Sequence, residues 1–133
     1  MKRHITPDSL FDSRPYGFSQ IVIAEQPRQM VFISGQVAWD ENMNIVGKYD
    51  LAVQTEKSIL NLKTAMETAG GTLRDIVMLR IYKVNYQRVD GPVISRQLTK
   101  YFGTENAPAS TWISVQGLAN EDFMIEIEAQ AVI

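Results

Sequence analysis

The chain has 133 residues, 45% apolar and 21% charged, with thirteen Lys and Arg against fifteen Asp and Glu for a net charge of −2. That length suits one domain, residues 1–133, able to bury a core unaided, and the acidic balance argues against the basic surface that nucleic acid requires. Cysteine is absent and His4 is the sole histidine, which excludes disulfide scaffolds, thiolate nucleophiles, thiolate zinc sites and histidine metal clusters.

Apolar runs such as Met30 to Ile33 are too short to cross a bilayer. The basic start Met1-Lys2-Arg3-His4 leads into no apolar stretch of the signal-peptide kind. A soluble, cytoplasmic protein with no membrane partner is expected.

Residues 1–18 carry Pro7, Pro15 and Gly17 and read as an irregular leader with room for one short strand; His4 in this stretch is expected to be mobile. Two strand-like runs follow, Gln20 to Ala24 and Met30 to Ala38. The polar turn Glu25-Gln26-Pro27-Arg28-Gln29 between them suggests a hairpin. Asp40 to Asn44 is a polar loop. Leu51, Thr55, Ile59, Leu62, Met66 and Ala69 recur at helical spacing, with Gln54, Lys57, Asn61, Thr64 and Glu67 on the opposite face. Asp50 is placed to cap this helix and Gly70-Gly71 to stop it.

Ile76 to Val84 reads as a strand rich in branched and aromatic residues. Asp90-Gly91-Pro92 opens a second helix with an apolar stripe of Ile94, Leu98, Tyr101 and Phe102, ended by Gly103. Thr111 to Gln116 is a further strand. The last segment alternates, with Phe123, Ile125, Ile127, Ala129 and Ala131 on one face and Met124, Glu126, Glu128 and Gln130 on the other. The order β-β-α-β-α-β-β implies an α+β fold, a mixed sheet with two helices packed on one face. The same alternation assigns Trp112, Ser114, Glu126 and Glu128 to the uncovered face, for which self-association is the simplest cover.

Glu126 and Glu128 project the same way about 7 Å apart. Such a pair suits acid–base chemistry, since a like charge or desolvation raises one pKa; two solvated glutamates on an exposed strand are the simpler reading. Ser34-Gly35-Gln36 interrupts an apolar strand, and glycine there marks a bulge, a packing point or the close approach of a ligand. Gly70-Gly71 follows a helix and does not open one, so it is a cap and not a phosphate loop. Tyr16, Phe18, Tyr82 and Trp112 suit either a small apolar pocket or ordinary core packing.

Tyr16-Gly17-Phe18-Ser19-Gln20, Val31-Phe32-Ile33-Ser34-Gly35-Gln36, Asn61-Leu62-Lys63, Ala69-Gly70-Gly71 and Ile125-Glu126-Ile127-Glu128-Ala129 occur in an order and spacing that resemble the Rid family. That family is also called YjgF and is often labelled endoribonuclease L-PSP. The resemblance spans about residues 15 to 133. It implies a chorismate-mutase-like fold and a homotrimer with active sites in clefts between subunits, the uncovered sheet face lining the trimer's centre. It also implies hydrolysis of enamines and imines such as 2-aminoacrylate to 2-keto acids and ammonia, with no metal or organic cofactor. In such a site an arginine holds the substrate carboxylate, a glutamate helps place the water, and the Ser-Gly-Gln segment completes the pocket.

Carried over by position, Glu126 matches that glutamate, Ser34 and Gly35 the pocket segment, and Phe18 the usual tyrosine. The family's Pro-Ala-Arg-Ser is here Pro108-Ala109-Ser110-Thr111, so Ser110 stands where the arginine is expected. An arginine–carboxylate contact contributes about 1.5–3 kcal/mol, and a serine does not neutralise the anion. Three readings follow. Arg14, Arg80 or Lys83 supplies the cation instead, Arg80 standing out because it interrupts an apolar strand, although an edge or interface role is its plainer explanation. The substrate differs, with Thr111 and Trp112 reshaping the cleft. Or the trimer binds a small molecule without turning it over. The first expectation is a Rid-type hydrolase of a small imine, enamine or related C=N compound using Glu126; the alternative is a non-catalytic binding or regulatory homotrimer. Ribonuclease activity, implied by the older label, ranks last.

Overall fold

A computed structural model describes residues 1–133. Eight strands and helices follow in the order β1 (Lys2–Ile5), β2 (Ile21–Ala24), β3 (Met30–Gln36), α1 (Leu51–Thr68), β4 (Ile76–Val84), α2 (Asp90–Phe102), β5 (Ala109–Val115) and β6 (Ile125–Val132). Four strands form a mixed sheet in the order β3-β6-β4-β5, with β6 antiparallel to both neighbours and β5 parallel to β4. Both helices contact the sheet from one side, and the fold is α+β and chorismate-mutase-like. No helix is long and apolar enough to cross a membrane.

The expected hairpin between residues 20 and 38 does not form. β2 pairs instead with β1, Val22 opposite His4, and β3 pairs with β6, Ile33 opposite Ala129. The turn at Glu25–Gln29 carries the chain from the small ribbon to the main sheet, because β3 matches its apolar alternation to β6. His4 is likewise not in a loose leader: its Nδ1 lies 3.0 Å from the Ala107 carbonyl oxygen, which accepts from it.

The core is the helix-facing half of each central strand. Leu79, Ile81, Ile125, Ile127 and Ala131 are buried against Ile59, Leu62 and Met66 of α1 and Ile94 and Leu98 of α2. Burying each large side chain stabilises the fold by about 1.5–3 kcal/mol. Asp50 caps α1 by accepting from the Val53 amide at 3.1 Å, and Gly70 ends it at φ +91°, the left-handed region that a β-carbon disfavours.

Gln54, expected on the polar face of α1, is fully buried. Its amide donates to the carbonyls of Gly47 and Asp122 and accepts from the Met124 amide at 2.9 Å. It therefore ties the loop before α1 to the start of β6, which offsets the cost of burying its polar atoms. Asn61 does the same for the segment after β3, donating to Val37 and Trp39.

Candidate functional site

The sheet's open face carries the carboxylates. Register places Arg80 opposite Glu128 and Tyr82 opposite Glu126, and on the other side Arg80 opposite Thr111 and Tyr82 opposite Ile113. All six project away from the helices, since their neighbours Leu79, Ile81, Ile125 and Ile127 point inward. Glu128 accepts a hydrogen bond from the Tyr82 hydroxyl. That bond, with burial and the adjacent negative charge, pushes the Tyr82 hydroxyl above its ordinary value.

Glu126 is different. It has no hydrogen-bond or salt-bridge partner in the chain. Burial first, and the nearby charge of Glu128 second, push its pKa above the usual carboxylate range. A carboxyl so placed is a proton donor and acceptor with nothing to tie it down.

Gly35 explains why Glu126 sits where it does. β3 gains one extra residue between Ile33 and Gln36, a bulge against β6. A β-carbon on Gly35 would lie 2.6 Å from the Glu126 carboxyl carbon and would overlap its oxygen. The Glu126 side chain therefore lies across bare backbone, the close approach that an in-strand glycine permits. Ser34, exposed beside it, follows the inward-facing Ile33.

A second region lies at the opposite edge of the sheet, on the helix side. Ser110 and Trp112 are in register with the buried Leu79 and Ile81. Trp112 and Ser114 are thus not on the open face as expected. Alternation along a lone strand yields two sets of residues, and only the pairing with β4 says which set meets the helices. Thr111 and Ile113 take the open face instead.

Ser110 and Trp112 line a cavity of about 740 Å³ together with Phe18 and residues of α2. The indole Nε1 donates to the Ser110 hydroxyl at 3.0 Å, which fixes both side chains. Gly17, at φ +88°, lets the Tyr16–Phe18 segment lie on α2: a β-carbon there would meet Leu98 at 2.8 Å. Phe11 packs edge-on against Tyr16 and Phe18 with centroids 6.2 and 6.0 Å apart, forming an aromatic wall.

The site residues expected from the sequence therefore fall into two groups on opposite faces of one sheet. Ser34, Gly35, Arg80, Thr111 and Glu126 belong to the open face, and Phe18, Ser110 and Trp112 to the cavity. Of the proposed replacement cations, Arg14 is committed to Asp12 through contacts of 2.8 and 3.1 Å. Lys83 is buried, 3.2 Å from Asp90, and donates to the Val84 carbonyl at 2.6 Å. Arg80 has no acid partner and flanks Glu128 across the strand pair.

Two cations were missed. Arg88 and Arg96 line the cavity, neither pairs with an acid, and no acidic residue joins them in its wall. Their signal was present: Arg88, Pro92, Arg96 and Thr99 recur at helical spacing on the side away from the apolar stripe.

The fold is that of the YjgF/L-PSP proteins. The family model for endoribonuclease L-PSP matches residues 12–133, and the chain belongs to that family. It is 31% identical over 120 residues, 90% of its length and 92% of the other's, to 3-aminoacrylate deaminase RutC of Acinetobacter baylyi. It is 32% identical over 119 residues, 89% of each chain, to a RutC family protein of Pyrococcus horikoshii. Among solved structures, a Rid family protein of unknown function, YyfB of Yersinia pestis, superposes with a TM-score of 0.94 at 37% identity over 99% of this chain and 98% of that one. RidA of an Antarctic Psychrobacter gives 0.69 at 28% identity over 86% and 87%.

Proposed function

We propose that this protein hydrolyses a small imine, enamine or related C=N compound without a cofactor, as its relatedness to a 3-aminoacrylate deaminase suggests. The observation that carries the reading is the unpartnered Glu126 carboxyl, held over Gly35 with a raised pKa. In its ionised form Glu126 takes a proton from a water molecule as the oxygen bonds to the imine carbon. The C=N electron pair moves to nitrogen, to which Glu126 passes that proton, giving a neutral carbinolamine. Glu126 then takes the carbinolamine hydroxyl proton as the C=O bond forms and delivers it to nitrogen, so that the C–N bond breaks and ammonia leaves with Glu126 again ionised.

The two groups of residues complete one site when the open face of one copy meets the cavity edge of another. Exposed apolar side chains on the open face, Met30, Phe32 and Ile113, favour such burial. We therefore read the active form as the homotrimer implied by the family resemblance, with Glu126 and Ser34 supplied by one subunit and Phe18, Ser110 and Trp112 by its neighbour. Ser110 in place of arginine shifts the substrate from the archetypal one.

The test is the decay of imines generated in situ by an amino-acid oxidase, comparing wild type with Glu126→Gln. Accelerated decay that is lost in the variant, with the oligomer intact, supports the reading. Saturable ligand binding with no acceleration by wild type would replace it with the non-catalytic alternative.

A further inference from the structure

The cavity beside Ser110 is cationic and far larger than a three-carbon acid. Its only charged lining residues are Arg88 and Arg96, in a protein whose overall charge is −2. Two unpaired guanidinium groups in one concave site hold a local positive potential, which recruits an anion. Arg96 stands on α2 between Pro92 and Thr99, which also line the cavity, and Arg88 lies just before the helix begins. Both are exposed, and neither belongs to an ion pair of the chain.

The remaining wall is aromatic and apolar. Phe11, Tyr16, Phe18 and Trp112 line it, and Phe11 and Tyr16 are 62% and 52% exposed, far more than core packing leaves. The volume of about 740 Å³ falls in the range of about 300–1,000 Å³ usual for ligands of drug size. A pyruvate-sized acid would fill little of it.

We propose that Arg96 and Arg88 replace the arginine absent at position 110, and that the substrate is a 2-imino acid with a bulky, aromatic side chain. Its carboxylate lies between the two guanidinium groups and its ring against the aromatic wall. The Ser110 hydroxyl, already accepting from Trp112, still has its own proton to donate to that carboxylate. The substrate class rests on the C=N hydrolase reading above; the arginine–anion contact does not.

Calorimetric titration of the assembled wild-type protein with phenylpyruvate, the product-like 2-oxo acid, tests the contact. Pyruvate and the uncharged phenylacetone are the controls. Phenylpyruvate should bind at least about tenfold more tightly than either control, and the Arg88→Gln/Arg96→Gln variant should lose at least about tenfold while keeping its affinity for phenylacetone. Arg96→Lys should retain part of the affinity, since it keeps the charge but not the fork. Unchanged phenylpyruvate binding in the double variant overturns the proposal, as does pyruvate binding equally well. Dissociation of the oligomer in the double variant overturns it too, because the arginines would then be pairing with a neighbouring subunit's acids. Turnover separates this idea from the reading beneath it. Arginine-dependent binding with no imine hydrolysis by wild type sinks the hydrolase and leaves the contact, whereas hydrolysis at unchanged KM in the double variant sinks the contact alone.

Discussion

The open sheet face and the cavity at the β5 edge share only strand β5 and differ in how their charges are held. On the open face, acids outnumber partners: Glu128 is bound by Tyr82, and Glu126 is left alone with a raised pKa. In the cavity the charges are cations without acids. A single polypeptide keeps Glu126 and the arginine-lined cavity apart on opposite sides of a sheet. They cannot meet on one substrate within one copy, and the shared site proposed above is what would bring them together.

The sharpest way to break this contrast is at its two glutamates. Glu126→Gln should lower imine turnover by about 10²–10⁴-fold, the usual contribution of a positioned acid–base group. Glu128→Gln should cost less than about tenfold, because Glu128 is engaged with Tyr82. Equal losses in steady-state assays would make the two carboxylates one unit and remove the special status of Glu126.

Next in size is Lys83→Met. Lys83 and Asp90 form the chain's most buried ion pair, with side chains 8% and 14% exposed. Removing the cation leaves the Asp90 carboxylate with only the Gln87 amide, at 2.7 Å, and should destabilise the fold by about 3 kcal/mol in urea unfolding. Arg96→Gln should stay within about 0.5 kcal/mol of wild type, as expected for an exposed cation with no partner. A large stability loss at Arg96 would mean that it is structural.

Gly35→Ala sharpens the role of the bulge. The three atoms nearest the added β-carbon all belong to the flexible Glu126 side chain, so the fold should survive while the carboxyl moves. Turnover should fall by about 10–100-fold through misplacement, and the acidic limb of the pH–rate profile should shift with it. An unchanged profile would detach Gly35 from Glu126.

The smallest effects concern pH and stability, and they carry opposite signs. The raised Glu126 pKa means that the folded state binds its proton more tightly than the unfolded chain does. That residue's contribution therefore becomes less favourable as pH rises through the ordinary carboxylate pKa to the raised one. Glu126→Gln should accordingly gain melting temperature over wild type at pH 7 and lose that gain in acid. Glu56 behaves the other way. The Lys100 and Tyr101 side chains hold its carboxyl below the usual range, at contacts of 2.6 and 2.7 Å. Its contribution is present above the ordinary carboxylate pKa and is lost as pH falls through the depressed one, so Glu56→Gln should be slightly less stable at pH 7 only, by less than about 1 kcal/mol. Parallel shifts in the two variants would contradict these assignments.

Much of the fold was legible because local signals were strong. The periodicity and caps of α1, the proline-opened α2 and the alternation of β6 each mark an element without help from the rest of the chain. What could not be read was pairing. The Met30 run looked like the partner of its sequence neighbour, yet its register is set by β6, about a hundred residues away in the chain. The misplaced face of Trp112 has the same origin. Glu126 and Gly35 were each visible in the sequence; that they touch was not, since contact depends on a bulge. Arg88 and Arg96 escaped attention because charged residues on the outer side of a helix usually mean only solvation, and the cavity they line is made by residues 11–18 folding back onto α2.

If, as proposed, one site is assembled from Glu126 of one copy and the cavity of another, mixing two inactive variants should restore it. Glu126→Gln and Ser110→Trp, the latter filling the cavity beside Trp112, should each be inactive alone in imine decay. Co-refolded in equal amounts, they should regain about a quarter of the wild-type turnover, because that share of interfaces joins an intact Glu126 to an intact cavity. Mixed oligomers no more active than the sum of the two separate variants would contradict a shared site, and so would full activity in Ser110→Trp alone.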